Sequence, residues 1–588
     1  MSGQAVTLAR PYASPEVPGM TSEQPPPPLR MPSHLFEELA VGGGSSEALA
    51  FLARGERVRR LLLLRTLLAR LEAVPTPLDP APEAWRTLKT AAAKDPWQVE
   101  RLLLAPQTGG WLAHVLRRLH GTSPGPTLWA ETGHLNSLAV SAALRAGTEA
   151  DVTVPLTDGA LILPGLGMAR LPGAPPGLSV GRARARGGEL TLLSEATDIP
   201  ALVLRDPAPV PVHAAEDSRD PSTGWLPLRT LTLAGPSGTV AVPLDDLDPY
   251  RDLDDPIAPA RLDAEEASEW QRLFDEAVGI VTVRGRSGPG RLDPAEIRAV
   301  VPWGRTSVLP AAPPTVRVSA SSGDSYGGMV IARPADPLAL AETFVHEFQH
   351  SKLGALLHLF RLLDDDREER YYAPWRGDPR HLTGLLHGAY AFTGVAGFWR
   401  DRMAEARRPE TVEVAGYHFA LRRTQSRLVV RTLLASGRLT VQGHGFVAGL
   451  ARTLDGWLRE TVPVSAVTRA RMAAALHRTE WRLRNVLPAP VSPAAPDTPV
   501  FRTDRVSWPD TRTYAFAVPP DVPRTADEHL AAGDPAAALT RYADELSADP
   551  TEPHALAGWI VARAALDPGR TTRRMLARPE LPQPLSSG

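Results

Sequence analysis

Asp336–Leu363 reads DPLALAETFVHEFQHSKLGALLHLFRLL. Its opening Asp336-Pro337 is a helix start, an N-cap acceptor followed by proline at the first helical position. Leu338, Ala341, Phe344 and Val345 then carry an apolar helix to about Leu363, with few polar residues on the way. Inside it stands His346-Glu347-Phe348-Gln349-His350. On a helix, positions i and i+4 share a face and lie about 6 Å apart, a spacing suited to gripping one metal ion. Glu347, next in the chain to His346, can reach a metal-bound water or a substrate and is the candidate catalytic group. Two surface histidines on an amphipathic helix would give the same pattern. Burial argues against that, because imidazoles in an apolar helix are costly unless something binds them.

Working upstream, Gly327–Ala332 reads as a strand. A strand followed by such a helix is the arrangement of zincin-like sites, where the strand edge can pair with an extended peptide. A third ligand must come from further on. A metzincin pattern wants Gly three and His six residues after the second histidine; here Gly354 and His358 stand four and eight after. The gluzincin candidates Glu368 and Glu369 sit in the charged turn Asp364–Arg370. His387 remains, on a segment that reads as a helix starting at Asp378-Pro379. Gly384, Gly388, Gly394 and Gly397 on that segment would let the metal helix approach closely, so that His387 faces His346 and His350. A hydrogen-bonded core histidine is the alternative for His387. His358 and His381 read as bystanders.

Arg380 precedes His387 by seven residues, hence on one helical face roughly 10 Å away at 1.5 Å per residue. Its guanidinium could clamp the far carboxylate of a small dianion chelating the metal. Arg376 is the competing clamp, and for both the alternative is a structural salt bridge. Lys352 is a reserve clamp, but two residues past His350 it turns to the far side of the helix.

The rest of the chain frames this site as α+β, mainly helical with a β-rich middle region and a zincin-like metal-binding helix pair. Residues 1–30 read as a disordered arm and 31–150 as a helical domain. In the latter Leu61, Leu62, Leu64, Leu67, Leu68 and Leu71 face a core, with arginines outside. Residues 151–335 carry short β-like runs, among them Val152–Pro155, Ala201–Leu204, Leu231–Ala234 and Gly279–Val283. Residues 336–487 form the helical metal-binding domain, 488–523 a Pro-rich linker, and 524–588 a tetratricopeptide-like helical hairpin packed on the main body.

Proline numbers 60 of 588 residues, about twice the usual share, in keeping with long linkers. The chain has no cysteine, so any metal must be held by His, Asp or Glu. A formal net charge of −2 with no basic domain argues against nucleic acid as a partner. No apolar run approaches the ~20 residues that span a bilayer, and the N-terminus lacks a signal-peptide pattern, so a cytoplasmic protein is expected.

Three blocks in order, His346–Leu353, Tyr372–Arg376 with Asp378–Arg380, and Leu386–Phe392, resemble one family. It is the HExxH-motif peptide-modification proteins of ribosomal peptide biosynthetic clusters, described as 2-oxoglutarate-dependent peptide β-hydroxylases. The Leu35–Leu71 region with its Gly42–Gly44 turn resembles the start of that family, so the likeness spans roughly 30–490. It implies Fe(II) and 2-oxoglutarate as cofactors, a ribosomally made precursor peptide as substrate, and a clustered peptide-modifying enzyme as partner. A third histidine departs from the two-histidine, one-carboxylate iron site. Spacing alone would favour zinc. The competing readings are a zinc metallopeptidase using His346, His350 and Glu347, and a catalytically silent peptide-binding scaffold that keeps a structural metal.

Overall fold

The computed structural model describes residues 29–581 apart from 124–126, 196–198, 215–223, 236–237, 254, 282–287, 304–318, 489–499 and 503–515. The expected arm over 1–30 and linker over 488–523 lie largely outside these residues.

Helices fill the N-terminal region: α1 (Ser33–Ala40), α2 (Ser46–Leu71), α3 (Ala81–Lys94), α4 (Pro96–Leu103), α5 (Pro106–Leu119), α6 (Leu128–Thr132) and α7 (His134–Ala146). Local chemistry sets several ends. Ser45 caps α2 by accepting from the Ala48 amide, Asp95 caps α4 ahead of Pro96, and Gly147 closes α7 at φ 64°. The leucine stripe of α2 is only partly internal. Leu64 and Leu67 are buried, whereas Leu61 and Leu62 are 42% and 57% exposed. Arg60, expected outside, is fully buried and donates to the carbonyls of Leu103 and Ala105. The reason is tertiary: α2 is clasped between α5 and the histidine-bearing helix, so two faces of it are covered.

The middle region is two sheets. Among the described residues the first runs β6-β5-β4-β1-β2-β3-β8, all antiparallel. Its strands are β1 (Ala150–Thr157), β2 (Ala160–Leu163), β3 (Gly167–Arg170), β4 (Leu178–Arg186), β5 (Glu189–Ser194), β6 (Leu202–Arg205) and β8 (Trp225–Pro227). In β4, Ala183 and Ala185 face inward while Arg184 and Arg186 face out, the two-residue period of a half-covered sheet. The second sheet is mixed and runs β12-β13-β11-β10-β9-β7. It comprises β7 (Val210–Pro211), β9 (Arg229–Gly235), β10 (Gly238–Leu244), β11 (Ala299–Trp303), β12 (Ser319–Ala320) and β13 (Gly328–Ala332). Here β13 lies between β11 and β12, so the expected free strand edge beside the histidine helix is already paired. The expected strand Gly279–Val283 falls instead at the end of helix α8 (Ala264–Val281), with residues 282–283 outside the described set. Ala267, Trp270, Phe274, Ala277 and Val281 are buried at helical spacing, and that longer pattern outweighs the local β-branched run.

The histidine helix is α9 (Pro337–Leu359), started by Asp336 Oδ1 accepting from the Ala339 amide at 2.8 Å. Helix α10 (Leu382–Glu405) packs against it, α11 (Pro409–Ala435) packs on α10, and α12 (Val441–Trp457) and α13 (Val464–Asn485) pack on α11. The expected α10 start at Asp378-Pro379 is displaced to Leu382. Arg380 exchanges backbone hydrogen bonds with Tyr371 at 2.9 and 3.0 Å, holding that segment extended. The C-terminal region, expected as a two-helix hairpin, has three helices over Ala526–Leu566, α14 (Ala526–Ala531), α15 (Pro535–Ala548) and α16 (Pro553–Leu566), then α17 (Arg570–Ala577). It rests on α13, where the His554 ring bridges Glu480 at 3.0 Å and Asp527 at 2.8 Å. Its Leu530, Tyr542 and Val561 join the main core. Among the described residues no helix is long and apolar enough to cross a membrane.

Of the α10 glycines only Gly394 admits the histidine helix as expected. A Cβ at Gly394 would meet the Gln349 side chain of α9 at 2.3 Å, but one at Gly388 would meet the Trp375 ring and one at Gly397 the Pro289 carbonyl oxygen, both at 2.1 Å. Gly445 of α12 faces open space. Alanine in a helix is worth about 1 kcal/mol over glycine, whereas overpacking costs about 1–3 kcal/mol. We expect Gly445→Ala to raise the denaturant midpoint and Gly397→Ala to lower it, by about 1–3 kcal/mol in unfolding free energy.

Candidate metal centre

Helix α9 is buried on nearly every side, and its polar groups are placed by partners far off in sequence. His346 and His350 project together, with Nε2 atoms 3.1 Å apart and rings edge to face at 4.7 Å. Two imidazoles bound to one ion through ~2.1 Å bonds would have their nitrogens roughly 3.0–3.4 Å apart. Both rings are uncharged at neutral pH, the state a metal requires. Burial, then the neighbouring His350, lowers the His346 pKa to about 4. Burial, then His387, lowers that of His350 to about 3.

Glu347 is 1% exposed and has Oε1 4.0 Å from His346 Nε2. That oxygen accepts from the Ser319 hydroxyl at 2.6 Å, while buried Oε2 has no hydrogen-bond partner among the described residues. A buried carboxylate oxygen without a donor costs of the order of 1–3 kcal/mol or more. A cation or a proton-bearing ligand would supply what it lacks.

His387 does come to the site, as the sequence suggested, but not to the same point. Its Nδ1 lies 3.4 Å from Nδ1 of His350, and the rings are 5.6 Å apart. His350 thus offers one nitrogen to His346 and the other to His387, and a single ion can take only one of them. Among the described residues no group of three His, Cys, Asp or Glu is arranged to hold a metal. The donor set fits a cation in two ligand places, with His387 behind His350 where a ring nitrogen can fix its tautomer.

Neither expected clamp is on the His387 helix face. Arg376 donates to Asp378 Oδ1 at 2.8 Å and Arg380 to Oδ2 at 3.1 Å, with side chains 50% and 30% exposed. Arg380 leans on Gly384, one turn before His387. Lys352 points away, as expected: its Nζ donates to the Gly43 carbonyl at 2.8 Å and lies 5.6 Å from the Phe348 and Tyr390 ring centres. Burial pulls its pKa down to about 7. His358 pairs with Glu56 and His381 with Asp365, each away from the histidine pair. Glu368 pairs with Arg370 in an exposed loop.

Sequence reading missed an aromatic wall and two polar neighbours. Phe392 meets His346 edge-on at 4.8 Å, Trp375 lies tilted against Phe392 at 4.7 Å, and the Arg422 guanidinium lies 4.6 Å from the Phe392 ring centre. Ser319 and Arg422 belong to β12 and α11, and no local spacing ties either to the histidines.

No protein-family model matches the chain, and no curated protein matches it.

In metal analysis of purified protein, His346→Ala and His350→Ala should each abolish stoichiometric metal. A residue that only orients a ligand typically contributes 10–100-fold in affinity. We therefore expect His387→Ala to weaken metal binding by that amount and not to remove it; complete loss would place His387 in the ligand set.

Proposed function

We propose that the protein is a metal-dependent peptide-modifying oxygenase. It would use Fe(II) and 2-oxoglutarate to hydroxylate a β-carbon in a ribosomally synthesised precursor peptide. The observation that carries the reading is the pair of uncharged imidazoles 3.1 Å apart beside a buried, half-satisfied carboxylate. Support for the oxygenase in particular comes from the three blocks that resemble the peptide β-hydroxylases. Each supplies part of one site: His346 and His350 from the first, Trp375 from the second, and His387 and Phe392 from the third.

In this reading α9 and α10 are a zincin-like helix pair. His346 and His350 would hold the metal, with His387 orienting His350 from behind. Fe(II) held there, with 2-oxoglutarate and dioxygen as co-reactants, would supply the oxidising power that replaces a C–H bond by C–OH. The protein's own groups do the rest. Phe392 and Trp375 exclude water from one side of the histidine pair, which strengthens electrostatic contacts within. Glu347, steadied by Ser319, keeps one oxygen for a proton or an amide of the peptide. Because β13 is already paired, the only edge this sheet presents next to Glu347, among the described residues, is that of β12. An extended peptide is thereby directed to Ser319 and Ala320.

A zinc metallopeptidase remains the second reading, favoured by the Glu347 carboxylate beside His346, which is placed to act as general base on a metal-bound water. Anaerobic reconstitution with Fe(II), followed by 2-oxoglutarate, oxygen and the precursor peptide, should give a peptide heavier by one oxygen and an equivalent of succinate. Glu347→Gln should lower that rate about 10²-fold or more while keeping the metal. Peptide cleavage by the zinc form, without need of 2-oxoglutarate, would overturn the oxygenase in favour of the peptidase.

A further inference from the structure

Among the described residues, helix α2 leaves one strip of its surface bare. Val58, Leu61 and Leu62 are exposed at helical spacing, and Arg54, Arg57 and Arg65 share their face. Between Ala50 and Ala69 the only acidic residue is Glu56, which is buried. Neither Arg54 nor Arg65 pairs with a carboxylate among the described residues, and Arg57 meets Glu100 of α4 at 3.4 Å. One turn before Glu100 stands Trp97, 65% exposed. Exposed apolar side chains gathered in this way and rimmed by charge mark an interaction surface.

The strip adjoins the sheet edge to which the proposed substrate is directed. From Ala320 of β12, four residues, at most about 14 Å of chain, lead to Asp324. There Arg59 of α2, three residues before Leu62, donates to Asp324 Oδ1 at 2.5 Å. Strand β12 has two residues, enough for about two main-chain hydrogen bonds, each a factor of roughly ten or less in affinity. A peptide held there alone would be poorly selected. A second contact on the same peptide raises its effective concentration at the histidines.

We propose that the outer strip of α2 docks an acidic amphipathic helix carried by the peptide substrate, apart from the segment that is modified. This rests on the proposed function and names how its substrate is held. Residues 54–65 span about 17 Å, three turns, a length that one short helix matches. Apolar side chains of that helix cover Val58, Leu61 and Leu62, and carboxylates beside them meet Arg54 and Arg65. A second copy of the chain would bring arginine against arginine. A bilayer needs a broad plane, whereas α5 and α9 cover the other faces of α2 and leave only a strip.

Fluorescence anisotropy on the full-length protein, without metal, 2-oxoglutarate or oxygen, tests the surface. The probe is a labelled peptide of roughly 18 leucines and glutamates, with leucine at i, i+3, i+4 and i+7. Native protein should bind it at least about tenfold more tightly than a scrambled order or a lysine-for-glutamate version, and more weakly as salt rises. The double variants Arg54→Glu/Arg65→Glu and Leu61→Gln/Leu62→Gln should each lose at least about tenfold, and Arg407→Glu, exposed between α10 and α11, should lose nothing. Equal binding of the lysine peptide, or native affinity in both double variants, overturns the surface. So does capture of phosphatidylcholine vesicles containing phosphatidylserine while the peptide stays unbound, or a dimer that Leu61→Gln/Leu62→Gln dissociates. With the precursor peptide, Arg54→Glu/Arg65→Glu should raise KM at least about tenfold and leave kcat unchanged. An unchanged KM beside lost probe binding gives the strip to another acidic partner and overturns the proposal. Strip-dependent probe binding with no hydroxylation by native protein keeps the docking surface and removes the oxygenase.

Discussion

A helix buried on almost all sides must bring each of its polar side chains to a partner, and the organisation of this protein follows from how α9 does so. Gln349 donates to the Gly42 carbonyl and Lys352 to that of Gly43. Ser351 accepts from the Gly327 amide, Glu347 accepts from Ser319, and His358 reaches Glu56. The partners come from the turn after α1, the approach to β13, the strand β12 and helix α2. Each unsatisfied group would cost about 1–3 kcal/mol, so any slip of α9 along or about its axis would break several bonds at once. The polar groups therefore fix the register of the helix, and the apolar ones fill the space between.

The same burial sets the chemistry. Desolvation keeps His346, His350 and His387 neutral, so their nitrogens carry lone pairs rather than charge. Among the described residues it also leaves Glu347 with one oxygen bonded and one bare. His350 occupies the middle of the cluster, with a neighbour at each ring nitrogen, and its tautomer is thereby coupled to both. Around this centre the aromatic rings of Phe392 and Trp375 and the cation of Arg422 form one continuous wall contributed by α10, α11 and the segment between α9 and α10.

How much of this was legible in the sequence depended on distance along the chain. Asp336-Pro337 and the four-residue spacing of His346 and His350 are local signals, and the structure follows both. Asp378-Pro379 is an equally good local signal and fails, because the Tyr371–Arg380 backbone pairing holds the segment extended and Asp378 is engaged by two arginines instead. The α10 glycines were correctly read as places of close approach. Which neighbour approaches is a matter of packing, and Trp375 and Pro289 took two of the positions assigned to α9. The Glu347–Ser319 contact and the Phe392–Arg422 contact pair residues about 30 apart, in elements whose relative placement no periodicity encodes. The leucines of α2 erred for the same reason: one stripe was assumed where two faces are covered.

The turn after α1 has a consequence for how the chain is made. Its carbonyls are claimed by Gln349 of α9, 307 residues on, and by Thr453 of α12, 412 residues beyond Val41. At a synthesis rate of 5–20 residues per second, roughly 20–80 s separate emergence of the turn from emergence of its last partner. For most of that interval the first helices have no α9 to lie against, and the apolar face they will share with it stays wet. The histidine pair thus matures late, after most of the polypeptide has left the ribosome. A ribosome-bound chain cut short before α12 would hold the histidines but not the complete fastening that keeps them in place.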